Sequence, residues 1–468
     1  MSTPPPLAGG ARGPDALRPL LSAALDALRT GATARGGPLP AGGPTAVAAR
    51  VREAAGEVLP ARGEGEEAAL RTLVHALAEG AADPADALCA AHLHCPPLAV
   101  AVAADLAASA LNPSMDSWDQ APAASEIEAL VTRALTTEVY GSGVHGTGGG
   151  DALVTTGGTE ANQLALLLAR ERTATHGPVQ LVVGENAHHS LARAAWLLGM
   201  PEPVTVPAPA GVLDPAALDE ALSGLTGPPD SFLVAATAGT TDAGLVDPLD
   251  QIAALCADHG ARLHVDAAYG GPLLFSDVRR GLLHGMERAD SITFDLHKLG
   301  WQPVAAGLLL VRDGRDLTAL GHHADYLNAD DDTEAGLPDL LGRSLRTTRR
   351  PDVLKLAVTL KALGREGVGA LVDQVCLQAQ EFAGLVAAHP GFELYDRPVI
   401  STVLFRPVGA DDDHIAYIRR ELLGQGRAVL GRACIDGRRW LKATLLNPHT
   451  RPGDLAELLK LVEGTTPR

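Results

Sequence analysis

Two residues of opposite charge lie where apolar segments of the sequence end. Asp266 lies in HVDAAYGG, and Lys298 lies in FDLHKLG, 32 residues further along the chain. In an open α/β sheet, residues at the carboxyl ends of the strands line the ligand-binding crevice. Taken alone, Asp266 is also typical of a helix cap, and Lys298 of a surface residue. Together they indicate a site that offers a carboxylate and an amine to one ligand.

A glycine turn upstream supplies a third feature. The segment TTGGTEAN (155–162) lies between an apolar run and an amphipathic one. Glycines allow a tight turn, and the free N–H groups at a helix start bind anions such as phosphate. The alternative is an ordinary turn in which Thr159 caps the helix. A phosphate turn, a lysine for a Schiff base and an acid for a ring nitrogen are what pyridoxal 5′-phosphate requires.

A second glycine pattern, GSGVHG (141–146), has the spacing G-x-G-x-x-G of dinucleotide-binding turns. That interpretation requires a strand before the motif and a helix directly after it. The residues that follow, a threonine and three glycines, are poor helix formers. We therefore predict a loop at this place.

The elements that must position these residues follow from the hydrophobic pattern. Between about 140 and 320, short Val/Leu/Ala runs alternate with amphipathic segments. Continuous apolar strands separated by helices indicate a mostly parallel sheet that is covered on both faces. Further along, a long helix precedes mixed strands and helices, while two helical segments precede the large unit. We predict an α/β protein with a helical N-terminal arm (1–90), a large cofactor-binding domain (91–374) and a small C-terminal α+β domain (375–468).

Composition limits the class of partner. The 468 residues are 46% hydrophobic, which is enough for a large core, and carry a formal net charge of −18. Because such a charge repels phosphate backbones and anionic lipid surfaces, we expect neither nucleic acid nor a membrane as partner. The first residues show no signal-peptide pattern. The five cysteines are scattered, which is typical of reduced thiols in a cytoplasmic protein.

In chain order, TTGGTEAN, AHHS, HVDAAYGG and DLHK resemble the group II pyridoxal-phosphate-dependent amino acid decarboxylases. The resemblance covers about residues 90 to 450. The segments AHLHCPP (91–97) and SLRTTRRPDVLKL (344–356) are similar to those of a subset that includes bacterial L-2,4-diaminobutyrate and lysine decarboxylases. The resemblance implies the aspartate aminotransferase-like fold (PLP fold type I). It also implies a homodimer whose active sites lie at the subunit interface.

Carried over residue by residue, the resemblance assigns Lys298 to the covalent attachment of the cofactor and Asp266 to its pyridine nitrogen. His188 is similar to the histidine that stacks on the cofactor ring in this family, with His189 as the competing neighbour. The resemblance implies further cofactor contacts: Ala268 on the opposite ring face, Gly158 and Thr159 on the phosphate with help from Asp295 or His297, and Thr241 close to the cofactor. We take Lys298, His188 and Asp266 as the catalytic residues.

The activity that the resemblance implies is α-decarboxylation of an L-amino acid to an amine and carbon dioxide. In other branches of the family, a tyrosine of a mobile loop protonates Cα. The comparable segment here (330–348) contains no tyrosine, and Tyr326 lies just before it. The donor therefore stays open among His188, Lys298 and a group from a partner subunit. Loss of the tyrosine can also accompany oxidative decarboxylation to an aldehyde.

The expected substrate is a small diamino acid of the 2,4-diaminobutyrate, ornithine or lysine type. An aromatic amino acid decarboxylase, an aldehyde synthase, an aminotransferase and a non-catalytic cofactor-binding paralogue are the alternatives. The cluster Asp330-Asp331-Asp332 would suit a cationic side chain, although exposed acidic loops are common.

A metal site is a further possibility at His92, His94 and Cys95, which lie close together in the sequence. Zinc needs a fourth ligand at suitable geometry, and the pattern offers none. The resemblance places this segment near the substrate. We therefore predict a pocket wall and no metal.

Overall fold

The computed structural model describes residues 4–141, 149–173, 177–321, 324, 327 and 329–466. The GSGVHG pattern, apart from its first glycine, and Tyr326 lie outside the described residues. The helices are α1 (Gly13–Arg35), α2 (Gly43–Ala55), α3 (Glu66–Gly80), α4 (Ala99–Leu111), α5 (Pro122–Tyr140), α6 (Gly158–Arg172), α7 (His189–Leu197), α8 (Pro215–Gly224), α9 (Leu249–His259), α10 (Asp330–Glu334), α11 (Val353–Ala388), α12 (Asp412–Gly424) and α13 (Pro452–Thr465). The strands are β1 (Cys89–Ala90), β2 (Asp151–Thr155), β3 (Gln180–Gly184), β4 (Val204–Val206), β5 (Phe232–Thr237), β6 (Arg262–Ala267), β7 (Ser291–Asp295), β8 (Gly307–Val311), β9 (Phe392–Leu394), β10 (Thr402–Pro407), β11 (Val429–Ile435) and β12 (Arg438–Thr444).

A seven-stranded sheet in the order β2-β8-β7-β6-β5-β3-β4 forms the centre of the fold. Neighbours from β4 to β7 pair in parallel, whereas β8 is antiparallel to both β7 and β2. Every residue of β5, β6, β7 and β8 is buried. One face packs against α5, α8, α9 and α11, and the other against α6 and α7. The predicted mostly parallel sheet, covered on both faces, is confirmed.

The N-terminal segment contains three helices, of which the sequence pattern predicted two. Helix α2 begins at the end of a segment rich in Pro and Gly (31–45), where Pro44 at its first turn suits a helix start. Helices α1 and α3 pack so closely at Gly31 that a Cβ there would lie 2.4 Å from the carbonyl oxygen of His75. The absence of a side chain therefore sets the distance between these helices.

A second sheet, in the order β1-β11-β12-β10-β9, forms the C-terminal part. Its strand β1 comes from the N-terminal segment and pairs in parallel with β11, Cys89 opposite Val429. Helix α11 continues across the predicted boundary at residues 374 and 375. The division of the chain into 1–90, 91–374 and 375–468 stays a prediction. No helix in the described part of the chain is both long and apolar enough to cross a membrane.

The register of the central strands brings chemically useful residues to one edge. Thr237 at the end of β5 lies opposite Asp266 of β6, which lies opposite Thr293 of β7. Strand β7 ends at Asp295, and Lys298 follows it after a turn. Because parallel strands end at the same edge of a sheet, these residues surround one crevice.

Candidate active site

A cavity of about 320 Å³ opens at this edge of the sheet. All nine residues that the sequence analysis singles out for cofactor binding or catalysis line it. They are Gly158, Thr159, His188, Thr241, Asp266, Ala268, Asp295, His297 and Lys298. The structure therefore brings together residues that are up to 140 positions apart in the chain.

Lys298 lies within reach of a buried carboxylate. Its Nζ is 3.0 Å from Oδ2 of Asp295, which is 1% exposed. His297 Nε2 lies 3.6 Å from the same oxygen, and burial lowers the pKa of this imidazole. Cys95 Sγ donates a hydrogen bond of 3.2 Å to the carbonyl oxygen of His297. These contacts hold the amine of Lys298 in the cavity wall.

Asp266 is also buried, and its carboxylate has two hydrogen-bond donors. The side-chain amide of Asn162 donates to Oδ2 at 2.8 Å, and the backbone N–H of Ala268 donates to Oδ1 at 3.1 Å. Hydrogen bonds to a carboxylate stabilise its ionised form. Asp266 therefore presents a carboxyl group of fixed orientation to the cavity.

The glycine turn between β2 and α6 forms part of the cavity wall. Gly157 has φ 152°, which favours glycine, and helix α6 has no side-chain cap. Its first-turn N–H groups are therefore free to bind a ligand. Space is tight here, because a Cβ on Gly158 would lie 3.1 Å from the Cβ of Ala268.

Glu160, which also lines the cavity, stabilises this turn. Its carboxylate accepts hydrogen bonds of 2.6 Å from both the backbone N–H and the hydroxyl of Thr156. Arg346, from the segment after α10, donates to the other carboxylate oxygen at 3.2 Å. The turn thus keeps its shape through Glu160, and the alternative in which Thr159 caps α6 is not found.

The two adjacent histidines differ in their position relative to the cavity. His188 lies at the N-cap of α7 and lines the cavity, whereas His189 is exposed and does not line it. Burial lowers the pKa of His188, although the nearby Asp266 carboxylate acts in the opposite direction. His188 is therefore neutral near pH 7.

Four further polar residues support the site, and no sequence motif indicated a role for them. They are Asn162, Ser190, His264 and Thr293, and all of them are buried and linked by hydrogen bonds. One signal was present, since His264 and Asp266 are two residues apart on a strand and so face the same side. The others required knowledge of which strands and helices are neighbours.

A second cavity of about 450 Å³ adjoins the first, and His188 and Thr241 line both. Three acidic residues, Glu185, Asp242 and Asp436, line this second cavity. Burial raises the pKa of Asp242. Next to the shared wall, Asp242 is accompanied by Lys442, whose Nζ donates to the carbonyl oxygen of Thr241 at 2.8 Å.

The acidic cluster that the sequence analysis considered lies elsewhere. Asp331 and Asp332 are exposed on α10 and line neither cavity, while the side chain of Asp330 lies outside the described residues. Of the segment AHLHCPP, Leu93 lines the first cavity. In the described ranges, no group of three or more His, Cys, Asp or Glu side chains is arranged to hold a metal ion.

Comparison with known families decides what kind of site this is. Residues 59–408 match the profile of the pyridoxal-dependent decarboxylase conserved domain. The chain belongs to the pyridoxal-dependent decarboxylase family. It is therefore a lyase that removes carbon dioxide from an amino acid with pyridoxal phosphate as cofactor, as the resemblance implied.

Three relatives of this decarboxylase show how far the similarity extends. It is 39% identical over 420 residues to the L-2,4-diaminobutyrate decarboxylase of Rhizobium meliloti (strain 1021), covering 87% of this chain and 83% of that protein. The enzyme of the same name from Acinetobacter baumannii is 35% identical, over 80% of this chain and 78% of its own length. The crystal structure of the glutamate decarboxylase domain of diaminobutyrate-pyruvate transaminase and L-2,4-diaminobutyrate decarboxylase from Vibrio parahaemolyticus superimposes with a TM-score of 0.86 and 31% identity, covering 98% and 97% of the two chains. Together with the sheet topology, this confirms the aspartate aminotransferase-like fold.

The cavity of this decarboxylase suits pyridoxal phosphate. An uncapped helix start offers N–H groups for a phosphate at one end, and a buried carboxylate offers a partner for the ring nitrogen. Two buried atoms in the wall, Asp295 Oδ1 and His297 Nδ1, have no hydrogen-bond partner within the protein. Buried polar atoms are nearly always paired, so His297 Nδ1 is free to form a hydrogen bond with a ligand, whereas Asp295 Oδ1 would need a donor on it.

Proposed function

We propose that this decarboxylase converts L-2,4-diaminobutyrate into carbon dioxide and the corresponding diamine. The observation that carries the proposal is the similarity, over four-fifths of the chain or more, to two enzymes that are named for this reaction. The acidic second cavity supports the same substrate class, because it suits a cationic side chain. Ornithine and lysine are the neighbouring candidates, since they differ from diaminobutyrate only in side-chain length.

In this proposal each end of the first cavity has its own role. The first turn of α6, with Gly158 and Thr159, binds the phosphate of the cofactor, and Lys298 holds the cofactor through its amine. Asp266 would pair with the ring nitrogen. When bound, pyridoxal phosphate supplies a sink for the electron pair that is left when the bond from Cα to the carboxylate breaks.

The protein contributes charge and orientation. The carboxylate of Asp266, held by Asn162 and the N–H of Ala268, stabilises a positive charge on the nitrogen opposite it. His188, which is neutral and half-buried on the wall, would pack on one face of the ring, and the small Ala268 would leave room on the other. Stabilisation by a fixed charge in a buried site is among the largest contributions that a protein makes to a rate.

Recognition of the substrate side chain is assigned to the second cavity. The ammonium group of the substrate would lie beyond the wall that His188 and Thr241 form between the two cavities. Asp242 directly follows Thr241 in the sequence and Glu185 precedes His188, and both acidic residues line the second cavity. A charged hydrogen bond of this kind changes affinity more than a neutral one does. The exposed pair Asp331 and Asp332 has no such position.

We also propose a cytoplasmic homodimer with active sites at the subunit interface. Exposed apolar side chains on α4 and α5, among them Leu111 at 74% and Leu130 at 53%, support a protein partner on that side. The five cysteines are all free, which suits a reducing compartment. Sedimentation velocity of the purified protein tests the dimer, and a monomer at micromolar concentration would contradict it.

The test of the proposed reaction is a substrate panel. Diaminobutyrate, ornithine, lysine, glutamate and tyrosine are incubated separately, and carbon dioxide, amine, aldehyde and keto acid are each quantified. We expect equal amounts of carbon dioxide and diamine, with the highest kcat/KM for diaminobutyrate. Aldehyde or keto acid as the main product, or a preference for glutamate or tyrosine, would refute the proposal.

A pair of matched variants tests the side-chain site. Asp242→Asn is expected to lower kcat/KM for diaminobutyrate by about tenfold or more, because the partner of the ammonium group loses its charge. Asp331→Asn makes the same chemical change at an exposed position and should leave kcat/KM unchanged. Equal effects of the two substitutions would remove the second cavity from the proposal.

A further inference from the structure

A buried polar network joins Asp266 to His188. The amide of Asn162, which has no exposed surface, donates one N–H to Asp266 Oδ2 at 2.8 Å and the other to Ser190 Oγ at 2.9 Å. Ser190 Oγ in turn lies 2.8 Å from Nδ1 of His188. One asparagine is thus hydrogen-bonded to the carboxylate and, through one hydroxyl, to the imidazole of the site.

The partners on its other side fix the orientation of the Asn162 amide. Its Oδ1 accepts a hydrogen bond of 2.6 Å from Thr293 Oγ1 and lies 3.0 Å from His264 Nε2. If the amide were rotated by half a turn, Oδ1 would face the ionised carboxylate of Asp266, and two acceptors would repel. The nitrogen must therefore face Asp266, and His264 must donate from Nε2 to Oδ1.

The protonation of His264 agrees with this orientation. Burial lowers its pKa to about 4, so the ring is neutral near pH 7 and carries one proton. With that proton on Nε2, Nδ1 is an acceptor for the hydroxyl of Ser291, 2.9 Å away. Every polar atom of the His264 ring then has a partner of the right kind.

The same reasoning fixes the proton of His188. Because Ser190 Oγ accepts from Asn162, its own hydrogen is free to be donated to His188 Nδ1. The backbone N–H of Ser190 also donates to Nδ1, at 3.3 Å. A ring nitrogen that accepts from two donors carries no proton. Since His188 is neutral near pH 7, its single proton is on Nε2.

We propose that Asn162 is a positioning residue that sets the ionised carboxylate of Asp266 and the Nε2–H tautomer of His188 together. The inference rests on the proposed roles of Asp266 and His188 in the decarboxylation. It adds that the only proton His188 can offer to the cavity is the one on Nε2. Without Asn162, Asp266 loses one of its two donors, and the hydroxyl of Ser190 loses the donor that orients it, so that the backbone N–H of Ser190 is the donor that remains on Nδ1 of His188.

The tautomer is measured directly in the full-length holoenzyme labelled with ¹⁵N-histidine. Long-range ¹H–¹⁵N spectra distinguish protonated from unprotonated ring nitrogens, and loss of signals in His188→Gln assigns them. At pH 7.5 we expect a proton on Nε2 of His188 and none on Nδ1. A wild-type His188 protonated on Nδ1, or on both nitrogens, would overturn the proposal without reference to any variant.

Variants then test two links separately: the link from Asn162 to Asp266, and the link from Asn162 through Ser190 to His188. In Asn162→Ala, the His188 signals are expected to shift, and the dissociation constant of pyridoxal phosphate to rise about tenfold or more, since a hydrogen bond to a charged group is lost. Ser190→Ala cuts only the link to His188, so its signals shift while the dissociation constant changes less than about twofold. Asn447→Ala removes another buried asparagine, which binds the carbonyl oxygen of Ala85, and should change neither.

The outcomes are distinct from those of the substrate panel. If Asn162→Ala leaves the His188 signals and the cofactor affinity as in the wild type, Asn162 only fills space and the proposal is wrong. If Asn162→Ala fails to fold, Ser190→Ala and the wild-type tautomer still decide. If the enzyme decarboxylates diaminobutyrate but His188 carries its proton on Nδ1, this inference alone is wrong. If His188 carries its proton on Nε2 but the protein has no decarboxylase activity, this inference is supported and the proposed function alone is wrong.

Discussion

Acidification is expected to destabilise this decarboxylase through His264, which has no exposed surface beneath the cavity. Burial lowers its pKa from 6.5 to about 4, against the opposing influence of the Asp266 carboxylate. Below pH 6.5, His264 therefore binds a proton in the unfolded chain, whereas in the native protein it binds one only as the pH approaches 4. For a depressed pKa of this kind, the contribution to stability is complete above pH 6.5 and is lost as the pH falls towards 4.

The size of the effect follows from the two pKa values. At pH 5.0 an unfolded histidine is almost fully protonated, whereas His264 in the native protein is protonated in about a tenth of the molecules. Because proton binding is linked to unfolding, the free energy of unfolding is expected to fall by about 2 kcal/mol between pH 7.5 and pH 5.0. This is a large part of the net stability of an ordinary domain.

Urea denaturation followed by tryptophan fluorescence measures the loss. His264→Gln keeps a side-chain N–H for Asn162 but cannot titrate, so the wild type should lose about 2 kcal/mol more than this variant between the two pH values. The matched control is His284→Gln, at a side chain that is 72% exposed, and it should follow the wild type. Equal pH dependence in the wild type and His264→Gln would refute the reasoning.

Three further predictions concern the cofactor. Borohydride reduction and peptide mass mapping should find pyridoxal phosphate on Lys298, and no attachment in Lys298→Ala. Asp266→Asn should lower kcat by about 10²- to 10³-fold with little change in KM, because the fixed charge opposite the ring nitrogen is lost; a larger effect on KM than on kcat would contradict this role. Asp295→Asn should bind pyridoxal phosphate as tightly as the wild type or more tightly by fluorescence titration, because a buried carboxylate beside the phosphate end is neutralised; weakening by more than about tenfold would show that Asp295 contributes to cofactor binding as an anion.

Much of the fold could be predicted because its signals are local. Buried strands appear as continuous apolar runs, and the glycine turn before α6 is marked by its own residues. Asp266 and Lys298 could be placed at one crevice since parallel strands end at the same edge. Helix α2 was missed because its proline- and glycine-rich start is also typical of a loop.

The supporting network could not be predicted from one sequence. The contacts of Asn162 depend on the order of β6 and β7 in the sheet and on where α6 and α7 cross it. The parallel pairing of β1 with β11 joins residues 340 positions apart, and nothing local signals it. Likewise, the acidic residues behind His188 come from three separate segments, whereas the conspicuous Asp331 and Asp332 lie at the surface.

The ion pair between Glu160 and Arg346 has a consequence for how this enzyme can evolve. The carboxylate that shapes the glycine turn before α6 is held in part by a guanidinium from a segment that contributes nothing to the cavity lining. Substitutions around Arg346 are therefore expected to change cofactor retention while every residue that lines the cavity stays the same. High salt should imitate such substitutions, because Arg346 is about one-third exposed and its charge is open to screening.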